Sequence, residues 1–221
     1  RSYIENEVFT ELQPVYYYYM ERFFRQGRAR KEYYTIGGEI IGESDPIIDA
    51  QNIYMVYTGL QKIGLAEGIK IRLNSYGNTK EMDKFFEEIG SFLENKQGVM
   101  SETTQKLYKQ NLLAVFSSSD EDDMILAQSA PSILKFLKKD SKQYHEAVKM
   151  YLDDLGISYE EDHTLFFPEW FYTNSIWQIE DNEGKVISSG GRYDLLARTL
   201  GSPKDYGASG FSIDVMHVIN M

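Results

Sequence analysis

Ser189-Gly190-Gly191-Arg192-Tyr193-Asp194 combines residue types that suit chemistry on a small charged molecule. Adjacent glycines let a backbone lie against a ligand with no Cβ between them. The arginine, tyrosine and aspartate that follow add polar tips. A second glycine-punctuated segment, Gly207-Ala208-Ser209-Gly210-Phe211-Ser212-Ile213-Asp214, opens an apolar strand or helix. Together the two predict a small-molecule pocket at one edge of a sheet. Arg22, Arg25, Arg28, Arg30 and Lys31 place five of the 23 basic residues within ten positions. Arginine forks suit phosphate and carboxylate; taken alone, the cluster reads rather as a solvated loop or hairpin tip.

Other chemistries find little support. Zero cysteine removes disulfides and thiolate metal sites, and His145, His163 and His217 show no ligand spacing, so no metal is expected. Ser117-Ser118-Ser119-Asp120-Glu121-Asp122-Asp123 reads as a solvated acidic joint with a helix cap rather than a metal loop. The net charge of −11 argues against broad non-specific nucleic-acid binding. No apolar run approaches the ~18 residues that span a bilayer, and no charged-then-apolar leader is visible, so a cytoplasmic protein is expected. Arg1 and Met221 both read as cut ends, which predicts a piece of a larger protein.

The elements that must position these residues follow from periodicity. Arg1 to Thr10 reads like the middle of a helix. Pro14 to Met20 and Tyr33 to Ile41 read as strands of a hairpin with the basic stretch between them. Ser44-Asp45-Pro46 starts a helix whose apolar stripe runs from Ile47 to Ile63, ending at Gly64. Ile69 to Asn74 reads as a strand. Helices alone are expected from Asn78 to about Gly156: one capped by Asn78 with Glu81 three residues on, then Ser101–Gln110, Asp120–Gln128, Pro131–Leu137 and Ser141–Leu155. After Gly156, Ile157–Tyr159, His163–Phe167, Trp170–Glu180 and Lys185–Ser189 read as strands. The fold class is α+β: a mostly antiparallel sheet flanked by helices, with an all-helical insertion.

Read in order, these segments resemble the catalytic core of histidyl-tRNA synthetase, a class II aminoacyl-tRNA synthetase. Glu21-Arg22-Phe23-Phe24-Arg25, the loop Gln26 to Lys31 and Tyr33 to Gly42 look like the second class-defining motif, with Arg1 to Asn6 as the helix leading into it. Asp45-Pro46 with Asp49-Ala50, then Arg72-Leu73-Asn74-Ser75-Tyr76-Gly77, match a stretch characteristic of the family. Asn111-Leu112-Leu113 and Ala130-Pro131-Ser132-Ile133-Leu134 have counterparts in its insertion. Gly190-Gly191-Arg192-Tyr193-Asp194 matches a histidine-specific motif, and Gly210-Phe211-Ser212-Ile213 opens the third class motif. The resemblance implies residues 1–77 and 157–221 as an incomplete core lacking the first class motif, and 78–156 as the insertion. It implies ATP-dependent activation of histidine, with Mg²⁺, and transfer to tRNA by a homodimer. Arg22 would be the catalytic motif-two arginine on the α-phosphate, with Arg28 an outer phosphate contact. Glu39, Tyr172, Gly190, Gly191 and Tyr193 would form the histidine pocket.

Four positions depart from the family pattern. The adenine-reading glutamate falls at Phe24, a histidine-binding glutamine at Thr35, the catalytic arginine at Phe167 and the motif-three arginine at His217. A neutral ring and an imidazole are poor substitutes for guanidinium groups. Losing one donor of this kind costs ~2.7–4 kcal/mol of transition-state stabilisation, so the departures imply lost or impaired adenylation. The alternative is a non-catalytic paralogue that senses histidine, like the synthetase-like regulatory subunit of ATP phosphoribosyltransferase.

Overall fold

A computed structural model describes residues 1–24, 32–169 and 171–221. Seven strands form one sheet in the order β1-β2-β7-β6-β5-β3-β4, antiparallel throughout except where β4 joins β3. The strands are β1 (Val15–Phe24), β2 (Glu32–Ile41), β3 (Lys70–Gly77), β4 (Glu160–Glu161), β5 (Thr173–Glu180), β6 (Val186–Arg192) and β7 (Ala208–Asp214). The tyrosine-rich hairpin is present as β1 and β2; the basic stretch between them, with Arg25, Arg28, Arg30 and Lys31, lies outside the described residues.

Side chains alternate across a strand, so the sheet has two distinct faces. One is covered by α2 (Ile47–Lys62) and α6 (Lys139–Asp154), and Ile53, Val56, Leu60, Val148 and Leu152 pack there against Leu73, Trp177 and Ile179. Asp45 Oδ1 accepts from the Ile47 N–H at 2.9 Å, which starts α2 just before the expected stripe. The other face is covered only at its β3–β5 end, by α3 (Thr79–Glu94), α4 (Glu102–Tyr108) and α5 (Glu121–Ser129). There Phe85, Ile89, Leu93 and Ile133 pack with Phe166 and Ile176. A capping box starts α3: the Asn78 side chain accepts from the Glu81 N–H at 3.2 Å, and the Asn78 N–H donates to Glu81 at 2.8 Å. Buried Glu81 also accepts from the Lys138 N–H and the Ser141 hydroxyl, which ties α3 to the start of α6.

Several expectations are corrected. Arg1–Thr10 is not one helix: α1 (Ser2–Glu5) stops before Glu7, which has a left-handed φ of 53°, and only a 3-10 turn follows at Val8–Thr10. Pro131–Leu137 yields a single 3-10 turn, Ile133–Lys135, with Ser132 capping it. Ile157–Tyr159 and His163–Phe167 are not strands. Asp162 turns the chain there, its carboxylate accepting from the Thr164 N–H at 2.8 Å, and only Glu160–Glu161 pairs with β3. The acidic joint is only partly solvated. Asp120 caps α5, but Asp123 is fully buried and accepts from the Ser101 N–H and the hydroxyls of Ser101, Thr104 and Ser118. These donors hold its pKa below the ordinary carboxylate value despite burial. Finally, β6 runs through both glycines to Arg192 instead of ending before them, and it is followed by the short α7 (Leu196–Thr199).

Candidate functional site

The uncovered part of the second face carries Glu39 among phenols. Glu39 sits on β2 opposite Tyr17 of β1 and Gly210 of β7. Its carboxyl lies across Gly210, where any Cβ would collide with it. The Tyr193 hydroxyl donates to Glu39 Oε2 in a short hydrogen bond. Burial pushes the Glu39 carboxyl up to about 7, and the bond from Tyr193 pulls the other way. Among the described residues no lysine, arginine or histidine forms an ion pair with it. Burial and the Glu39 charge together push Tyr19 up to about 12, and they raise Tyr193 strongly. Tyr172, raised by burial and by Glu169 and Glu39, stands beside Phe167 and Phe171 with ring centroids 5.3 and 5.0 Å away.

The glycines sort by face. Gly37, Gly191 and Gly210 lie on the open face, beneath Tyr19, Tyr172 and Glu39 respectively. Gly38 and Gly190 lie on the helix-covered face, beneath Phe211 and Trp177. The adjacent pair therefore does not act as a unit: Gly191 belongs to the Glu39 group and Gly190 does not. The same alternation turns Arg192 away from Tyr193. Arg192 is fully buried, with Nη2 3.1 Å from Asp49 on α2 and Nη1 3.0 Å from Asp194. Its guanidinium lies 5.4 Å from the ring centroid of Tyr144, whose hydroxyl donates to Asp49 at 3.0 Å. Of the Arg-Tyr-Asp tips, only the tyrosine reaches the open face.

The remaining expected site residues disperse. Arg22 pairs across the hairpin with Tyr34, on the face opposite Glu39; it contacts Glu32 at 3.1 Å and lies over the Tyr34 ring at 5.0 Å. The structure does not bring it to the Glu39 group. Arg28 lies outside the described residues. Phe24 ends β1, 73% exposed. Thr35 shares the face of Glu39 two steps further along β2. Phe167 joins the aromatic cluster around Phe85 and Phe166, its N–H and C=O both bonded to the Tyr76 hydroxyl at 2.8 Å. His217 lies on α8 (Val215–Ile219), 2.8 Å from Asp181 in the β5–β6 turn, at the far end of that hairpin from Tyr172 and Tyr193. Among the described residues no group of three His, Cys, Asp or Glu could hold a metal ion.

Sequence reasoning missed Tyr19. It is the one residue between Tyr16 and Phe24 that is not exposed, its ring laid over Gly37. The signal was available in the alternation of Tyr16-Tyr17-Tyr18-Tyr19, which sends the second and fourth rings toward the Glu39 face. It also missed Arg72, which holds the edge strands together through Asp162 at 2.6 Å and Glu180 at 2.7 Å.

The antiparallel sheet, with helices on one face and a carboxylate-and-tyrosine floor on the other, is a class II aminoacyl-tRNA synthetase fold. The crystal structure of apo histidyl-tRNA synthetase from S. aureus superimposes with a TM-score of 0.74 at 29% identity, over 99% of this chain and 54% of that one. The histidine–tRNA ligase of Streptococcus pneumoniae (strain 70585) is 32% identical over 228 residues, which cover 99% of this chain and 53% of the relative. Within the class, then, the chain is a histidyl-tRNA synthetase-like core, and it spans about half the length of the curated relatives it matches. A structure from Bacillus halodurans described as an ATP phosphoribosyltransferase regulatory subunit/histidyl-tRNA synthetase shares the fold, with a TM-score of 0.64 at 18% identity over 99% of this chain and 61% of that one. No protein-family model matches the chain. Among the described residues no helix is long and apolar enough to cross a membrane.

Proposed function

We propose that the Glu39 site binds histidine, and that the chain is a histidine–tRNA ligase core whose own adenylation chemistry is lost or impaired. The observation that carries the first part is the half-buried carboxyl of Glu39 among Tyr19, Tyr172 and Tyr193. An imidazole supplies the ring N–H that such a carboxylate lacks, and phenol faces suit a flat cationic or neutral ring. Gly191 lets the Tyr172 ring lie down against the sheet beside that site. The second part rests on charge. Activation of histidine by ATP develops negative charge on phosphate, which needs cations in place beforehand. Phe167 is apolar, His217 is engaged with Asp181, and Arg22 lies on the other face. The Mg²⁺ that accompanies ATP finds no built cluster among the described residues, and we derive no step through it.

We take residues 78–156 as the insertion on a core of 1–77 and 157–221, with tRNA and a second copy as partners of the whole protein in the cytoplasm. Exposed Tyr16, Tyr18 and Met20 on the outer strand support a second copy there. The departures at Phe167 and His217 equally support the second reading, a histidine-sensing regulatory subunit without ligase activity.

Calorimetric titration with histidine and with ATP, separately, tests the reading. Histidine binding without ATP binding supports both an intact histidine pocket and failed activation. Vigorous histidine-dependent pyrophosphate exchange by the whole protein refutes the impairment. Glu39→Ala is expected to weaken histidine binding by about 10- to 100-fold; an unchanged affinity refutes the pocket.

A further inference from the structure

We propose that Tyr19 is a specificity-determining residue of the Glu39 site: its ring closes the site along β2, so that it admits a ligand the size of an amino acid and excludes one that continues over Gly37. The inference rests on the histidine reading above and adds a size limit to it.

Three tyrosines bound Glu39 from different directions. Tyr193 follows β6 and its N–H bonds to the Ala208 carbonyl, so it closes the end of the site where Ala208 pairs with Ile41. Tyr172 covers Gly191, two strands across the sheet from Glu39, and leans on the rings of Tyr76 and Phe167. The third direction runs along β2 itself. Thr35, Gly37 and Glu39 stand on one face in steps of two residues, ~6.6 Å apart. With Tyr193 at one end, Tyr172 across the sheet and Tyr17 paired beside Glu39, a ligand anchored at Glu39 that extends along the strand crosses Gly37. Ser212 of β7 flanks that path at Gly37, and a glycine there leaves backbone free for contact.

Tyr19 occupies this path. It pairs directly with Gly37, and its ring atoms fill the space where a side chain at Gly37 would stand. The rest of the strand from Tyr16 to Phe24 is exposed, so the ring is not drawn in by general burial of β1. Phe23, four residues on and on the same face, holds it edge-on with centroids 5.7 Å apart. An edge strand gives such a ring freedom to swing toward solvent. The occlusion is therefore a property of one side chain and not of the sheet, and substitution can remove it.

The test uses calorimetry on the full chain, with histidine and a non-hydrolysable histidyl-adenylate analogue as probes. Wild type and Tyr19→Phe are expected to bind the analogue no more tightly than histidine. Tyr19→Ala is expected to keep histidine within about threefold of wild type and to gain at least about tenfold for the analogue. Gly37→Ala, which replaces the ring over Gly37 by a single methyl without altering β1, is expected to free part of the same path. Histidine binding in each variant reports that the site is folded. A Tyr19→Ala protein that binds histidine normally and gains nothing for the analogue overturns the size limit and leaves the histidine reading intact. Wild type that binds the analogue more than about tenfold tighter than histidine overturns it with no variant needed. If Glu39→Gln binds histidine as well as wild type does, the histidine reading itself fails, and the size limit with it.

Discussion

Arg192 and Glu39 stand on opposite faces of one sheet, and both are ionisable groups drawn out of water. Arg192 is sealed in with partners on every side: Asp49, Asp194, the Glu43 carbonyl at 3.1 Å and the face of Tyr144. Among the described residues Glu39 has a single hydrogen-bond donor, Tyr193, and no cation. Glycines beneath aromatic rings recur on both faces, so close packing does not separate them. The state of the charge does. A buried ion with its full set of partners is part of the scaffold. A carboxyl pushed up to about 7 by a site that withholds partners is poised for a donor from outside.

The largest expected effect comes from breaking the scaffold side. Asp49→Ala leaves buried Arg192 with Asp194 as its one carboxylate among the described residues and is expected to cost about 3–5 kcal/mol in chemical denaturation. A loss under about 1 kcal/mol would mean that Arg192 is no better held than a surface ion, and the contrast between the faces would collapse.

Glu39→Gln is expected to act in the opposite sense. The folded carboxyl titrates near 7 against 4.5 for the free side chain. Folding therefore favours the protonated form, and wild-type stability falls as pH rises from about 4.5 to about 7. A glutamine escapes that loss. The variant should gain up to about 3 kcal/mol above pH 7 and nothing below about pH 4.5. Denaturation midpoints of the two proteins across that window check it; a flat difference would show that Glu39 is not held out of its ordinary range. The same variant should bind histidine worse, so stability and binding trade against each other at one residue.

Asp123 sharpens the point without any cation. It is as buried as Arg192, yet four donors hold its pKa down where Glu39 is raised. Its contribution should be present above the ordinary aspartate range and lost as pH falls below it. Asp123→Asn, which keeps the shape and removes an acceptor, is expected to cost about 2 kcal/mol at neutral pH. A thermal melt at pH 7 unmoved by the change would make the joint the solvated loop that its composition resembles.

That joint also shows where the sequence stops being readable. Ser117 to Asp123 is polar at every position, and nothing local says that one of its four acids turns inward; the donors Ser101 and Thr104 come from a different helix. The helix stripe of α2, the capping box of α3 and the tyrosine hairpin were legible because their partners lie within a few residues. Glu39, Tyr172 and Tyr193 were legible only through family resemblance, since they converge from β2, the segment before β5 and the end of β6. The sense of the double glycine was misread for a simpler reason. A period of two sends neighbours to opposite faces, so Gly190-Gly191 could not have been one surface once β6 ran through it, and Arg192 could not have shared a face with Tyr193. The same rule, applied to Tyr16 through Phe24, would have found Tyr19 and set Arg22 apart.

The smallest expected effect probes the faces through their glycines. At Gly190 a new Cβ would stand 2.5 Å from the Trp177 ring and 2.6 Å from the Gly210 carbonyl oxygen. Trp177 is fully buried and the carbonyl belongs to the neighbouring strand, so neither can yield cheaply. Gly190→Ala is expected to cost about 1–3 kcal/mol. At Gly37 the Cβ would meet only the ring of Tyr19, and that ring can swing out from an edge strand. Gly37→Ala should therefore cost about 1.5 kcal/mol, toward the low end of that range, while exposing Tyr19 to solvent. Exposure should bring its phenol down from about 12 toward an ordinary tyrosine, by lifting both the burial and the influence of Glu39 that raise it. Spectrophotometric titration of the tyrosines in the variant against wild type reads that shift. A Gly37→Ala protein as destabilised as Gly190→Ala would show that Tyr19 is fixed scaffold, and that the open face is packed as tightly as the closed one.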